Sequence, residues 1–319
     1  SIPIRTRATP PAAAGSGKLC SHPPADLVCY RAMARTFSLD GTNLDLDAVR
    51  ALLADPAPRL ALGRATRSRV REAARFVSAL CGREEPVYGI TTGFGRLAHV
   101  RIDPRHLARL QEHLVVSHAA GVGDPLPERE ARLAIAVRAA TLASGHSGVR
   151  LETLDTLLGL WNHGIVPVIP EQGSVCASGD LAPLAHIALT LLGKGEAFFS
   201  GRKVSSATAL KRAGLSRVRL EPKEGLALIN GTSVACAVLA VALVEAQDLV
   251  RLADVAAAMS LEALLGTDRP FDARVQRLRR HPGQIATARN VRKLLKGSRI
   301  LPGHRASDHK VQDPYSLRC

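Results

Sequence analysis

Apolar positions along this chain recur mostly at helical spacing, three or four residues apart. Ordered structure is expected to begin near Phe37. Residues 45–54 and 67–81 carry that period, and 86–95 interrupts it with three glycines. Residues 104–120, 127–144 and 152–162 read as helices again, the last ended by Gly164. Between 165 and 179 the residues Pro167, Pro170, Gly173 and Gly179 predict a loop. Asp180 then N-caps a helix that tolerates Pro183 in its first turn and stops at Gly193-Lys194-Gly195. Residues 226–259 read as one long, mostly apolar helix. No internal repeat is evident.

Two segments depart from this pattern. Residues 1–35 hold a low-complexity Pro/Ala/Gly patch and are expected to be a disordered leader, with no apolar core of a secretory signal. Residues 225–244 carry no charge and are long enough to cross a bilayer. Asn230, Gly231, Thr232 and Ser233 sit near one end, and a buried central helix of a large bundle reads the same way, which is the expectation here.

Composition sharpens the fold class. Of 319 residues, 46% are hydrophobic but only 3% aromatic, which favours Ala/Leu packing of helices over a β-sandwich or barrel. Lys and Arg number 43 against 28 Asp and Glu. The excess is concentrated late: residues 269–310 hold 12 Lys/Arg and two Asp. Phe271 is the one aromatic there for base stacking, so a solvated face is expected rather than a nucleic-acid stripe. The six cysteines show no CxxC spacing, and His163, His186, His281, His304 and His309 form no ligand pattern, so no metal is expected.

The chemistry concentrates in Gly173-Ser-Val-Cys-Ala-Ser-Gly-Asp-Leu-Ala-Pro-Leu-Ala-His186. In a tight backbone bend the Gly179 nitrogen can attack the Ala177 carbonyl carbon, because no Cβ blocks the approach. Loss of one water closes a five-membered ring. Loss of the Ser178 hydroxyl as a second water leaves an exocyclic methylidene. The product, 4-methylidene-imidazol-5-one, is an electrophile made from the chain itself. Alone, the tripeptide reads equally well as a plain turn; the signal lies in the whole string.

That string resembles the signature of the aromatic amino acid ammonia-lyases, closest to the histidine-specific members. Four further segments match in order: Leu39-Asp-Gly41, Tyr88-Gly-Ile-Thr-Thr-Gly-Phe-Gly95, Lys223-Glu-Gly-Leu-Ala-Leu-Ile-Asn-Gly-Thr232 and Gln312-Asp-Pro-Tyr-Ser-Leu-Arg-Cys319. The match covers residues 37–319. It implies a mainly α chain with the long-helix bundle architecture of the fumarase/aspartase-like lyases. Residues 1–36 would be leader, 37–220 an N-terminal domain carrying the prosthetic-group loop, and 221–319 the start of the central helical bundle.

The resemblance also assigns roles. Tyr88 would be the general base that removes the β-proton; read alone, it is a core tyrosine on a glycine-rich loop. His118, after Ser117, would face the substrate ring, a pairing that resembles histidine-specific members and also suits tyrosine. Asn230, read as a buried polar residue needing partners, would hold the ring or the substrate. Tyr315 would donate to the reacting centre. Gln312 and Arg318 would bind substrate, Arg318 by its fork geometry for a carboxylate.

Implied are elimination of ammonia from L-histidine to trans-urocanate, a ring made from Ala177-Ser178-Gly179, and neither metal nor pyridoxal phosphate. A tyrosine or phenylalanine lyase, an aminomutase with the same ring, or an inactive truncated homologue are the alternatives. The expected setting is the cytoplasm, in a homotetramer whose active sites each draw on more than one subunit, with no nucleic-acid or membrane partner. Three departures stand out: Cys176 where histidine lyases usually carry Gly, Thr91 where they usually carry Asn, and an end at Cys319 where the family continues through further helices. Apolar helix faces meant for that region predict poor solubility of this chain alone.

Overall fold

The computed structural model describes residues 35–54, 56–83, 85–175, 179–304 and 311–318. The leader expected at the start therefore lies outside the described residues up to position 34, as do Cys176, Ala177 and Ser178.

The first described elements are a parallel two-strand ribbon, β1 (Thr36–Leu39) with β2 (Arg59–Leu62), and the helix between them, α1 (Leu46–Leu52). Asp45 caps α1 by accepting from the Ala48 amide at 2.8 Å. α2 (Arg64–Cys81) follows, then α3 (Leu107–His118), entered through a 3-10 turn at Pro104–His106. The core of the chain is α4 (Glu128–Ala143) with α5 (Leu151–Asn162). In α4 nearly every face is buried: Leu133, Ala134, Ile135, Ala136, Ala139, Leu142 and Ala143 are inaccessible. Six alanines let neighbouring helices approach closely. In α5 the chain's single tryptophan, Trp161, is buried and donates Nε1–H to the Pro58 carbonyl at 2.8 Å.

The stretch predicted as a loop between 165 and 179 contains two short strands. β3 (Val122–Pro125) pairs antiparallel with β5 (Pro170–Gln172). β4 (Val166–Pro167) joins β6 (Glu196–Phe199), which forms a hairpin with β7 (Arg202–Ser205). Prolines at strand ends hid them, since Pro is tolerated at edges and first positions. α6 (Leu181–Leu191) and α7 (Ser206–Arg212) flank the β6–β7 hairpin in sequence.

The predicted single helix over 226–259 is two. α8 (Glu224–Ile229) ends where Asn230 turns extended, at φ −86° and ψ 109°, and α9 (Ser233–Ala263) then runs 31 residues. α9 is also less buried than expected. Val234, Ala237, Val241 and Val244 form one buried stripe, packed with α4 and α1 on this side of the molecule. Leu239, Leu249, Leu252 and Met259 are each about 60% exposed or more on the other faces. By length and composition α9 would cross a membrane, a test that core helices also pass. Past α9 come α10 (Ala273–Arg279), α11 (Pro282–Leu294), α12 (Ile300–Gly303) and α13 (Tyr315–Arg318). The main core runs from Leu39 to Val244, and a smaller one joins Ala258 and Leu261 to Val291, Leu295 and Leu301.

Candidate active site

The described ends of the ring-forming segment meet: the Val175 amide donates to the Gly179 carbonyl at 2.9 Å. Gly179 sits at φ +71°, a left-handed conformation that disfavours any side chain. It lies in a parallel bridge with Gly231, and the Asp180 amide donates to the Gly231 carbonyl at 3.0 Å. The segment is thereby placed beside the link between α8 and α9, next in sequence to Asn230.

Asp180 occupies the N-cap position of α6, as its sequence suggests, but its side chain does not cap that helix. The carboxylate is fully buried and spans elsewhere. Oδ2 accepts from the Val234 and Ala235 amides at 2.7 and 2.8 Å, capping α9, and Oδ1 accepts from Ser174 Oγ at 2.7 Å. A buried charge needs several donors, and the open amides at a helix start supply them with a favourable dipole. One aspartate so ties the ring-forming segment to the start of the long helix.

Tyr88 lies on the glycine-rich loop and is 54% exposed, so it is not a core tyrosine. Its hydroxyl accepts from the Gly95 amide at 3.4 Å, and its ring meets Phe94 edge-on at 6.2 Å. The loop is pinned from within. Thr91 Oγ1 accepts from the Val87 amide at 2.8 Å, and Thr92 Oγ1 from the Gly89 amide at 3.3 Å. Thr91, the departure noted above, is buried and works inside the loop.

Gln111 went unread in the sequence. It is fully buried in α3; Oε1 accepts from the Leu226 amide at 3.1 Å and Nε2 donates to the Gly89 carbonyl at 3.5 Å. It joins the Tyr88 loop to α8. The only signal was a lone amide on the apolar face of Leu107, Leu114 and Val115. Glu224, also buried, anchors the start of α8: it accepts from Thr153 Oγ1, the Arg150 amide and guanidinium, and the Glu221 amide.

His118 is half-buried at the end of α3, where Nδ1 lies 2.8 Å from the Leu114 carbonyl. A carbonyl only accepts, so Nδ1 is the donor there and the neutral ring would leave the Nε2 lone pair free. From there the chain enters β3, whose partner β5 leads directly into the ring-forming segment. Asn230, expected to be buried, is exposed.

The other predicted residues stand apart. Gln312 and Arg318 line a cavity of about 300 Å³ with residues 265–270 and Asp313. Arg318 Nε donates to the Asp313 carbonyl at 2.6 Å, and its guanidinium stacks over the Tyr315 ring at 4.7 Å. Buried Asp313 in turn accepts from the Thr267 amide at 2.6 Å. This cluster sits at the C-terminal end of α9, whereas Asn230, Gly179 and Asp180 sit at its start. At 1.5 Å per residue, 31 residues separate the two by roughly 45 Å. No side chain spans that distance. Among the described residues no three or more His, Cys, Asp or Glu cluster as metal ligands.

A helical chain whose ring-forming segment abuts the start of a 31-residue helix has the architecture of a long-helix lyase. It belongs to the aromatic amino acid lyase family, whose profile matches residues 44–319. It is 54% identical over 292 residues to a histidine ammonia-lyase of Anaeromyxobacter sp. (strain K) and 49% identical over 282 to that of Stigmatella aurantiaca. Those matches cover 89% and 88% of this chain but 57% and 55% of the relatives, so the chain spans little more than half their length. Among solved structures it resembles histidine ammonia-lyase from Trypanosoma cruzi, with a TM-score of 0.77 and 38% identity over 89% of this chain and 52% of that one. It also resembles tyrosine aminomutase from Streptomyces globisporus, with a TM-score of 0.79 and 35% identity over 88% and 56%.

Proposed function

We propose that this chain belongs to a histidine ammonia-lyase, converting L-histidine to trans-urocanate and ammonia. The observation that carries the reading is the Gly179–Gly231 bridge, which sets the ring-forming segment beside Asn230. The histidine ammonia-lyases at 49–54% identity favour histidine over tyrosine and phenylalanine.

The prosthetic group would be the 4-methylidene-imidazol-5-one of Ala177, Ser178 and Gly179, and the described residues fit it. Gly179 lacks the Cβ that would obstruct attack by its nitrogen and already holds a positive φ. Once formed, the ring supplies an electrophile that makes the amine of the substrate a better leaving group.

The chain's own residues do the rest. Tyr88 removes the β-proton as general base, from a loop that Thr91, Thr92 and Gln111 hold in place. His118 offers the lone pair of Nε2 to an N–H of the substrate imidazole. Asn230 and the amide ends of α6 and α9 stabilise negative charge as it develops. Arg318 binds the carboxylate bidentately, with Gln312 and Tyr315 beside it. Because roughly 45 Å separates Arg318 from Asn230 along α9, the two act together only across copies of the chain. A homotetramer in the cytoplasm, serving histidine breakdown, accommodates this.

The test is turnover followed by ultraviolet absorbance with histidine, tyrosine and phenylalanine in turn. Urocanate from histidine supports the reading. Cinnamate or coumarate alone, or β-amino acid from tyrosine, would replace it with a phenylalanine or tyrosine lyase or an aminomutase.

A further inference from the structure

Arg138 lies in the middle of α4, in the most enclosed part of the molecule, and is 3% exposed. Among the described residues its guanidinium makes no ion pair with a carboxylate. Instead Nη2 donates to the Asn230 carbonyl at 2.9 Å and to the Ala227 carbonyl at shorter range. Both oxygens belong to the C-terminal end of α8, where carbonyls have no partner within the helix and the dipole is negative. Among the described residues Nε has no hydrogen-bond partner. Burial pushes the guanidinium down to about 10, partly opposed by Asp180, so it remains charged at neutral pH. Taking such a group out of water is costly and has to be offset by what it holds.

What it holds is the link from 230 to 232. On one side Arg138 caps the end of α8; on the other Asp180 caps the start of α9. The link itself passes close to the cation: a Cβ built on Gly231 would come 2.5 Å from Arg138 Nη1. The Gly231 carbonyl accepts from the Asp180 amide on the opposite side. A buried positive and a buried negative group thus clamp three residues between two helix ends of opposite dipole.

We propose that Arg138 is the positioning residue for Asn230, fixing the 230–232 link, and with it the Asn230 side chain, against Gly179 and Asp180. The importance of Asn230 rests on the function proposed above; the clamp itself does not. The sequence offered only an arginine in an Ala-rich helix, 92 residues from its partner.

The test is site-resolved amide hydrogen exchange on the full chain, comparing Arg138→Met, Arg138→Lys and Gly231→Ala with the parent. Arg138→Met removes the donors and keeps the bulk. The Asp180 and Asn230 amides, which report the clamp, are expected to exchange about tenfold faster or more, while the α4 and α5 amides stay within about twofold. Lysine can still reach one carbonyl and is expected to recover part of the protection. Gly231→Ala, which retains the arginine but displaces its guanidinium, is expected to reproduce the local loss. It reads out the same amides if Arg138→Met does not fold. Unchanged exchange at Asp180 and Asn230 in Arg138→Met and Gly231→Ala overturns the proposal. So does protection falling evenly over the whole chain, which would make Arg138 a core residue and no more. Amide exchange reports the link whether or not the tripeptide cyclises, so this inference and the functional reading fail separately.

Discussion

Tyr88 combines exposure with a fixed loop, and that combination suits a base that must meet a substrate without moving. Tyr88→Phe is expected to lower kcat roughly 10²–10⁴-fold while leaving ring formation intact, read by steady-state assay and peptide mass on one preparation. His186, in α6, makes a different prediction. Among the described residues its buried Nε2 has no hydrogen-bond partner, and burial lowers its pKa below the ordinary 6.5. The unfolded chain therefore takes up its proton first as pH falls. The contribution of neutral His186 is fully present above 6.5 and is lost as pH drops through the lowered value. Urea unfolding at several pH values is expected to show this loss in the parent, and a shallower one in His186→Gln. Among single residues, motifs pointed to Tyr88, His118, Asn230 and Gly179; of these the structure joins the Gly179 turn to the link that follows Asn230. Gln111 and Arg138 were not legible, because each serves backbone groups about ninety or more residues away that no local pattern marks.

At the scale of elements, the most informative feature is a cap exchanged between helices. Asp180 stands at the start of α6 but spends its carboxylate on α9. Asp180→Ala is expected to cost about 2–4 kcal/mol, more than an ordinary exposed cap, since one buried and one part-buried amide lose a charged acceptor. Denaturant unfolding followed by the buried Trp161 measures it. Periodicity revealed most of the helices up to residue 191, because one apolar stripe per helix suffices to mark them. It missed the break at 230–232, where apolar residues continue on both sides and the interruption comes from Arg138 and Asp180. It also missed β3 to β7, whose pairing partners lie some 30 to 50 residues apart in two of three cases. The short helices after Ala263, in a strongly basic stretch, carried too little apolar pattern to be read.

For the whole molecule, the separation of the two clusters along α9 decides how a site is assembled. The Tyr88 loop, tied to α8 through Gln111, and Asn230 belong to one end and Gln312, Tyr315 and Arg318 to the other, so under the proposed roles neither cluster is complete alone. A chain carrying Tyr88→Phe and a chain carrying Arg318→Ala are each expected to be inactive. Refolded together, they are expected to regain turnover, because a mixed assembly contains sites with both residues intact. Absence of any recovery, with mixed assembly shown by mass, would place both residues in one chain's site and contradict the geometry. The family could be read from motifs spread over most of the sequence; the distance between those motifs could not, since it is set by the unbroken length of one helix.

The most direct test of the account is the mass of the purified chain, followed by peptide mapping across residues 173–186. Cyclisation and dehydration are expected to remove two waters, about 36 Da, located on Ala177-Ser178-Gly179. An unmodified tripeptide in a folded, soluble chain would contradict the reading of this segment as the source of the electrophile.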